Sequence, residues 1–158
     1  MANEKIDKRR LVSYFAYGSN MNPERMEERG VVFYSRELLI LSGWCLRFHK
    51  TTIEPNKGAA NIVPDESGVV EGILYEVTME GIANLDKFEH YPTEYDRVTF
   101  MLSDSKGVEK EIYTYIAHPH NTREGLKPSR SYLQHLLATK DILSVDYYNQ
   151  LKEVETLD

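Results

Sequence analysis

The chain has 158 residues, 41% of them hydrophobic, and a formal net charge of −6 from 25 acidic and 19 basic side chains. That length predicts one domain, large enough to bury a core without disulfide or metal staples. The acidic balance disfavours nonspecific nucleic-acid binding and adhesion to an anionic membrane, and no apolar run nears the ~20 residues of a membrane-spanning helix.

Residues 1–10 read as a charged, frayed tail, without the apolar stretch of a signal peptide, ahead of a single domain over residues 11–158. Residues 11–17 are dense in strand formers and stop at Gly18-Ser19-Asn20. Asn20 and Asn22 are capping residues and Pro23 suits a first helical position, so a short helix over residues 23–29 ends at Gly30. Residues 36–50 form a strand in which Leu38, Ile40, Trp44, Leu46 and Phe48 share a face, with Gly43 as a bulge or sharp bend. Cys45, the single cysteine, excludes an internal disulfide; it sits in an apolar run and reads as a buried, inert thiol in a reducing cytoplasm.

A loop over residues 51–58 leads to a short strand at 59–63, a turn at 64–68 and a nearly continuous apolar strand at 69–78. Residues 79–90 have helical spacing and end at Tyr91-Pro92. Strands at 97–103 and 109–117 are joined by the hairpin loop Asp104-Ser105-Lys106-Gly107. After an irregular stretch, Ser129 caps a helix carrying Tyr132, Leu133, Leu136 and Leu137, and a last helix carries Val145, Tyr148 and Leu151. Without regular alternation of strand and helix, the expected fold is α+β, a small mixed β-barrel flanked by helices.

Two segments carry candidate chemistry. A strand ending in Gly18-Ser19-Asn20 before a helix leaves backbone N–H groups unpaired, which suits an anion; the plainer alternative is an ordinary strand-to-helix turn. In the second, Ile82, Leu85 and Glu89 fall at i, i+3 and i+7, so Glu89 is turned toward the core. Burial raises a carboxyl pKa toward the range useful for proton transfer, and Asp86 adds to this if it lies close. The alternative is a helix-end glutamate that reaches solvent or pairs with Arg97. His118 and His120 lack an evident third metal ligand and read as loop.

Tyr14 to Met21, YFAYGSNM, resembles the signature of the γ-glutamyl cyclotransferase family. Gly58 to Pro64 (GAANIVP), Val70 to Val77 (VEGILYEV), Leu85 to Glu89 (LDKFE) and Pro128 to Tyr132 (PSRSY) follow in that family's order, so the resemblance runs from about Leu11 to Leu151. It implies a barrel-with-helices fold and cyclisation of a γ-glutamyl group to 5-oxoproline with release of the attached amine. It implies that Glu89 is the catalytic acid/base and that Tyr17, Gly18, Ser19, Asn20 and Met21 hold the glutamyl moiety. It places Tyr95 and Tyr132 in the pocket wall and requires neither metal nor organic cofactor. His90 stands where relatives commonly have glycine. The stretch YGSNM followed by Asn-Pro-Glu-Arg is closer to the branch acting on γ-glutamyl amino acids than to the glutathione-specific one.

The expected partner is thus a small γ-glutamyl substrate, with no nucleic acid and no membrane; exposed tyrosines permit a homodimer. The alternative is a noncatalytic binding module of the same fold, and an inward-facing Glu89 is the feature that separates the two.

Overall fold

The computed structural model describes residues 7–158. The first six residues of the expected tail lie outside the described residues. Lys8 and Arg10 are exposed but tied down, since their carbonyls accept the N–H groups of Glu80 and Met79 at 3.0 and 2.9 Å.

The fold is α+β, built on one five-stranded sheet. Its strands are β1 (Leu11–Ala16), β2 (Phe33–Thr51), β3 (Gly58–Thr78), β4 (Tyr95–Ser103) and β5 (Glu109–Ala117), in spatial order β2-β3-β1-β5-β4. β1 pairs in parallel with β5, and the other neighbours are antiparallel. Among the described residues four α-helices flank the sheet: α1 (Pro23–Glu28), α2 (Met79–Phe88), α3 (Arg130–Leu137) and α4 (Val145–Lys152). Their starts are local chemistry, because the side chains of Asn22, Thr78, Ser129 and Ser144 each accept a first-turn N–H. Both sheet faces are covered. Val12, Tyr14, Ile73, Tyr75 and Val77 join the core beneath the helices, while Phe15, Leu39, Leu41, Val70 and Leu74 form a second cluster.

The expected barrel does not close. The sheet curls until Trp44 of β2 and Phe100 of β4 meet, ring centroids 5.5 Å apart, but these outer strands are not paired. Closure needs strands of matched length and stagger. Here β2 and β3 run 19 and 21 residues against 6 for β1, so their hairpin overhangs the shorter strands.

Two expectations change within that hairpin. The turn expected at residues 64–68 does not reverse the chain: β3 continues through it, and residues 65–68 bulge between the pairs Pro64–Trp44 and Val69–Ser42. Gly43, at φ +87°, sits opposite and is the expected bulge. An extra residue reverses which side chains face inward. Leu39 and Leu41 are therefore buried before it, and Trp44, Leu46 and Phe48 pack inward after it. Ile40, expected on the inner face, is 53% exposed, and Cys45 is half-buried rather than buried.

Helix α2 ends at Phe88, two residues earlier than expected, in a tight C-terminal motif. His90 occupies the left-handed position at φ +51°, and the Tyr91 and His90 N–H groups return to the carbonyls of Asp86 and Lys87. A side chain is strained there. His90→Gly should therefore stabilise the fold by about 0.5–1 kcal/mol in urea titrations, and a destabilised variant would contradict this account of the helix end.

Candidate active site

A cavity of about 230 Å³ lies where β1 hands the chain to the Gly18–Asn20 turn, beneath the overhang of β2 and β3. Tyr17, Gly18, Ser19, Asn20, Glu89, Tyr95 and Tyr132, distant in sequence, all line it. Met21 does not. It is 0% exposed and belongs to the core, because Ser19–Met21 form a 3-10 turn drawn onto the sheet. The Tyr75 hydroxyl does the drawing, lying 2.8 Å from the carbonyls of both Asn20 and Met21. The turn's internal bonds use the N–H groups of Met21 and Asn22. Those of Gly18, Ser19 and Asn20 precede them and have no acceptor within the turn.

Glu89 follows the last helical residue of α2 and, on the phase of buried Ile82 and Leu85, faces inward with its side chain 17% exposed. Asn20 fixes it. The Asn20 amide donates to Glu89 Oε1 at 3.2 Å and to Tyr14 Oη at 2.9 Å, and its Oδ1 accepts from Arg29 Nη1 at 2.8 Å. Arg29 Nη1 is 3.6 Å from Glu89 Oε1. Burial pushes the Glu89 carboxyl above its ordinary value, and Arg29, Lys50, Asn20 and Arg25 offset only part of that push. The expected partners of this region pair elsewhere: Asp86 is held by Arg97 and by the Tyr115 hydroxyl at 2.7 Å.

The tyrosines serve as walls. Tyr95 Oη donates to the Ala60 carbonyl at 2.6 Å, and Tyr132 Oη accepts the Ala60 N–H at 3.0 Å, so the two grip one residue of β3. Tyr17 Oη donates to the Tyr115 carbonyl. Burial holds the phenols of Tyr14, Tyr17, Tyr95, Tyr115 and Tyr132 above their ordinary value, so they stay neutral. Glu89 is then the carboxyl among the lining residues, and its burial favours the protonated form. Tyr132→Phe leaves the Ala60 N–H without its acceptor. It should cost about 1–3 kcal/mol of stability in thermal or urea unfolding and less turnover than any change at Glu89.

Sequence reasoning missed Arg25, Arg29, Lys50, Lys57 and Tyr115 as lining residues. The i, i+4 spacing of Arg25 and Arg29 after the Gly-Ser-Asn turn was a usable signal for two of them. Lys50 and Tyr115 arrive only through strand pairing. His118 and His120 stack at the surface, centroids 5.5 Å apart, and among the described residues no group of three or more His, Cys, Asp or Glu could hold a metal ion. None of the described helices is long and apolar enough to cross a membrane.

A family model described as gamma-glutamyl cyclotransferase, AIG2-like, matches residues 14–134, from the first strand through the Tyr132 helix. The chain belongs to this family. YkqA of Bacillus subtilis is 31% identical over 81 residues, which make up 49% of this chain but only 28% of YkqA, so the match spans less than a third of that relative. The YkqA structure superposes with a TM-score of 0.75 at 22% identity, covering 92% of this chain and 56% of YkqA. A solved gamma-glutamyl cyclotransferase gives 0.79 at 23% identity over 94% of this chain and 90% of its own. The yeast gamma-glutamyl cyclotransferase specific to glutathione gives 0.62 at 13% identity, covering 91% and 97%. At these identities the structural likeness is one of fold.

Proposed function

We propose that this chain is a γ-glutamyl cyclotransferase acting on a γ-glutamyl amino acid or amine. The substrate's α-amine nitrogen attacks its own γ-carbonyl carbon, a five-membered ring closes, and the bond from that carbon to the departing nitrogen breaks. One proton passes from the attacking nitrogen to the leaving one, giving 5-oxoproline and a free amine. The balance needs no oxidant, reductant or cofactor.

The observation that carries this reading is the enclosed Glu89 carboxyl, raised in pKa, beside the N–H groups of Gly18, Ser19 and Asn20. A carboxylate of ordinary pKa is a weak base and a negligible acid at neutral pH; a raised one performs both halves of the transfer. The loop amides supply donors for a developing oxyanion or for a carboxylate. The neutral tyrosines shape the chamber, and holding the chain folded with nitrogen against carbonyl supplies roughly 7–11 kcal/mol of the barrier in a well-oriented intramolecular reaction. The direct test is release of 5-oxoproline from γ-glutamyl dipeptides by the purified protein. Ligand binding without release would favour the noncatalytic module.

The same reading predicts a pH profile. Because burial raises the Glu89 carboxyl, kcat/KM should fall on the acid side with a midpoint above that of an exposed glutamate. Arg29→Gln removes the nearest cation opposing that rise and should move the midpoint to still higher pH. A midpoint that stays put or moves down would exclude Glu89 as the titrating group.

A further inference from the structure

Arg29, Lys50 and Arg25 are the cations acting most strongly on Glu89. Two of them are already matched. Arg29 is bonded to Asn20 and lies beside Glu89 itself. Lys50, 5% exposed, donates to Glu94 Oε1 and to the Thr51 carbonyl, both at 2.7 Å. Arg25 has no carboxylate within ion-pair distance among the described residues. Its Nη1 faces His135 Nε2 at 3.3 Å, and its buried Nε has no partner.

Donors outnumber acceptors around that guanidinium. Asn22 Oδ1 accepts the Glu24 N–H, which turns Asn22 Nδ2 toward His135 Nδ1 at 3.1 Å. Burial and the two arginines hold the imidazole below its ordinary value, so it is neutral and offers one acceptor nitrogen. Asn22 Nδ2 and Arg25 Nη1 therefore compete for a single acceptor, and Arg25 Nε has none. A carboxylate supplies both the missing acceptors and the missing charge.

We propose that Arg25 binds the α-carboxylate of the γ-glutamyl group, an assignment that rests on the cyclotransferase reading above. The α-carboxylate and the attacking α-amine hang from the same carbon. When the amine comes to Glu89, the carboxylate comes with it, and its charge must be offset within the same shell. Arg25 is the cation there still free to do so. Held by Arg25 at one group and by Glu89 at the other, the α-carbon has one orientation, with its nitrogen facing the γ-carbonyl. The amides of the Gly18–Asn20 turn then serve the carbonyl oxygen. Arg25 is on this account a substrate-binding residue.

The test compares wild type with Arg25→Gln on three donors. They are γ-glutamylalanine, γ-glutamyl methylamide, which lacks a carboxylate on the leaving side, and 4-aminobutyrylalanine, which lacks the α-carboxylate and closes to 2-pyrrolidone. Arg25→Gln should lower kcat/KM by about 10²-fold on the first two, the scale of a lost buried charge pair, and by much less on the third, which feels only the altered field at Glu89. Arg25→Lys, which keeps the charge but not the fork, should fall between. A loss on γ-glutamylalanine but not on the methylamide would move Arg25 to the leaving group and overturn the assignment. Equal loss on all three would make its role structural and overturn it as well. Calorimetry with the products reads the same site without turnover. Wild type should prefer 5-oxoproline to 2-pyrrolidone and Arg25→Gln should lose that preference; no preference in wild type would refute the carboxylate site. Failure of wild type to release 5-oxoproline from any γ-glutamyl donor would instead strike the cyclotransferase reading, with the binding comparison still deciding on Arg25.

Discussion

Glu89→Gln should keep the fold and much of the affinity for product while losing ~10²–10⁴-fold of turnover, the range expected for a general acid–base residue. The amide matches the carboxyl in shape and can still meet Asn20, but it cannot carry a proton. Stability should not suffer. The Glu89 pKa is raised on folding, so the native state binds more protons than the unfolded one between the two pKa values. That stability is present at low pH and is lost as pH rises through the folded-state value, so the ionised carboxyl is a net cost above that value. Melting temperatures at neutral pH should accordingly be equal or higher for Glu89→Gln. Glu89→Asp retracts the carboxyl by one methylene and should also be impaired, since a ~1 Å misplacement can cost ~10²-fold. Release of 5-oxoproline by Glu89→Gln at the wild-type rate would remove this residue from the mechanism while leaving fold and family membership untouched.

Gly18→Val should weaken binding of 5-oxoproline and lower kcat/KM by ~10²-fold, by displacing the chamber wall rather than by straining the backbone. Gly18 has φ −116°, outside the left-handed region. The obstacle is space. A Cβ there would stand 3.0 Å from Ala60 Cβ and 3.1 Å from Tyr132 Oη. Ala60 cannot easily retreat, because Tyr95 and Tyr132 hold its carbonyl and N–H. The branched side chain must therefore push the turn away from β3 and carry the Gly18–Asn20 amides with it. Gly18→Ala, with only the Cβ, should show a smaller loss in the same direction. Unchanged affinity in a folded Gly18→Val protein would show that the turn does not form part of the binding site.

What the chain settles by itself is what neighbours in sequence can settle. Asn22 followed by Pro23 starts α1, and Ser129 starts α3, because each satisfies N–H groups two or three residues away. Gly43 makes the bulge because the conformation there suits a residue without Cβ. The inward turn of Glu89 follows from its helical phase with Ile82 and Leu85, so the central acid of the candidate site was legible. The rest depends on pairings that no local pattern encodes. The barrel stays open because the strand lengths disagree, and those lengths emerge only when β2 and β3 find each other through residues expected to turn. Ile40 changed environment because a single bulge reverses the parity of the residues on its two sides. Met21 left the site because Tyr75, more than fifty residues away, draws the turn onto the sheet. The cations around Glu89 come from α1, from the residue that follows it and from the far end of β2, and their fields reach one carboxyl only once the chain has folded. Tertiary structure alone decided these points, because charge, burial and close approach depend on distance in space.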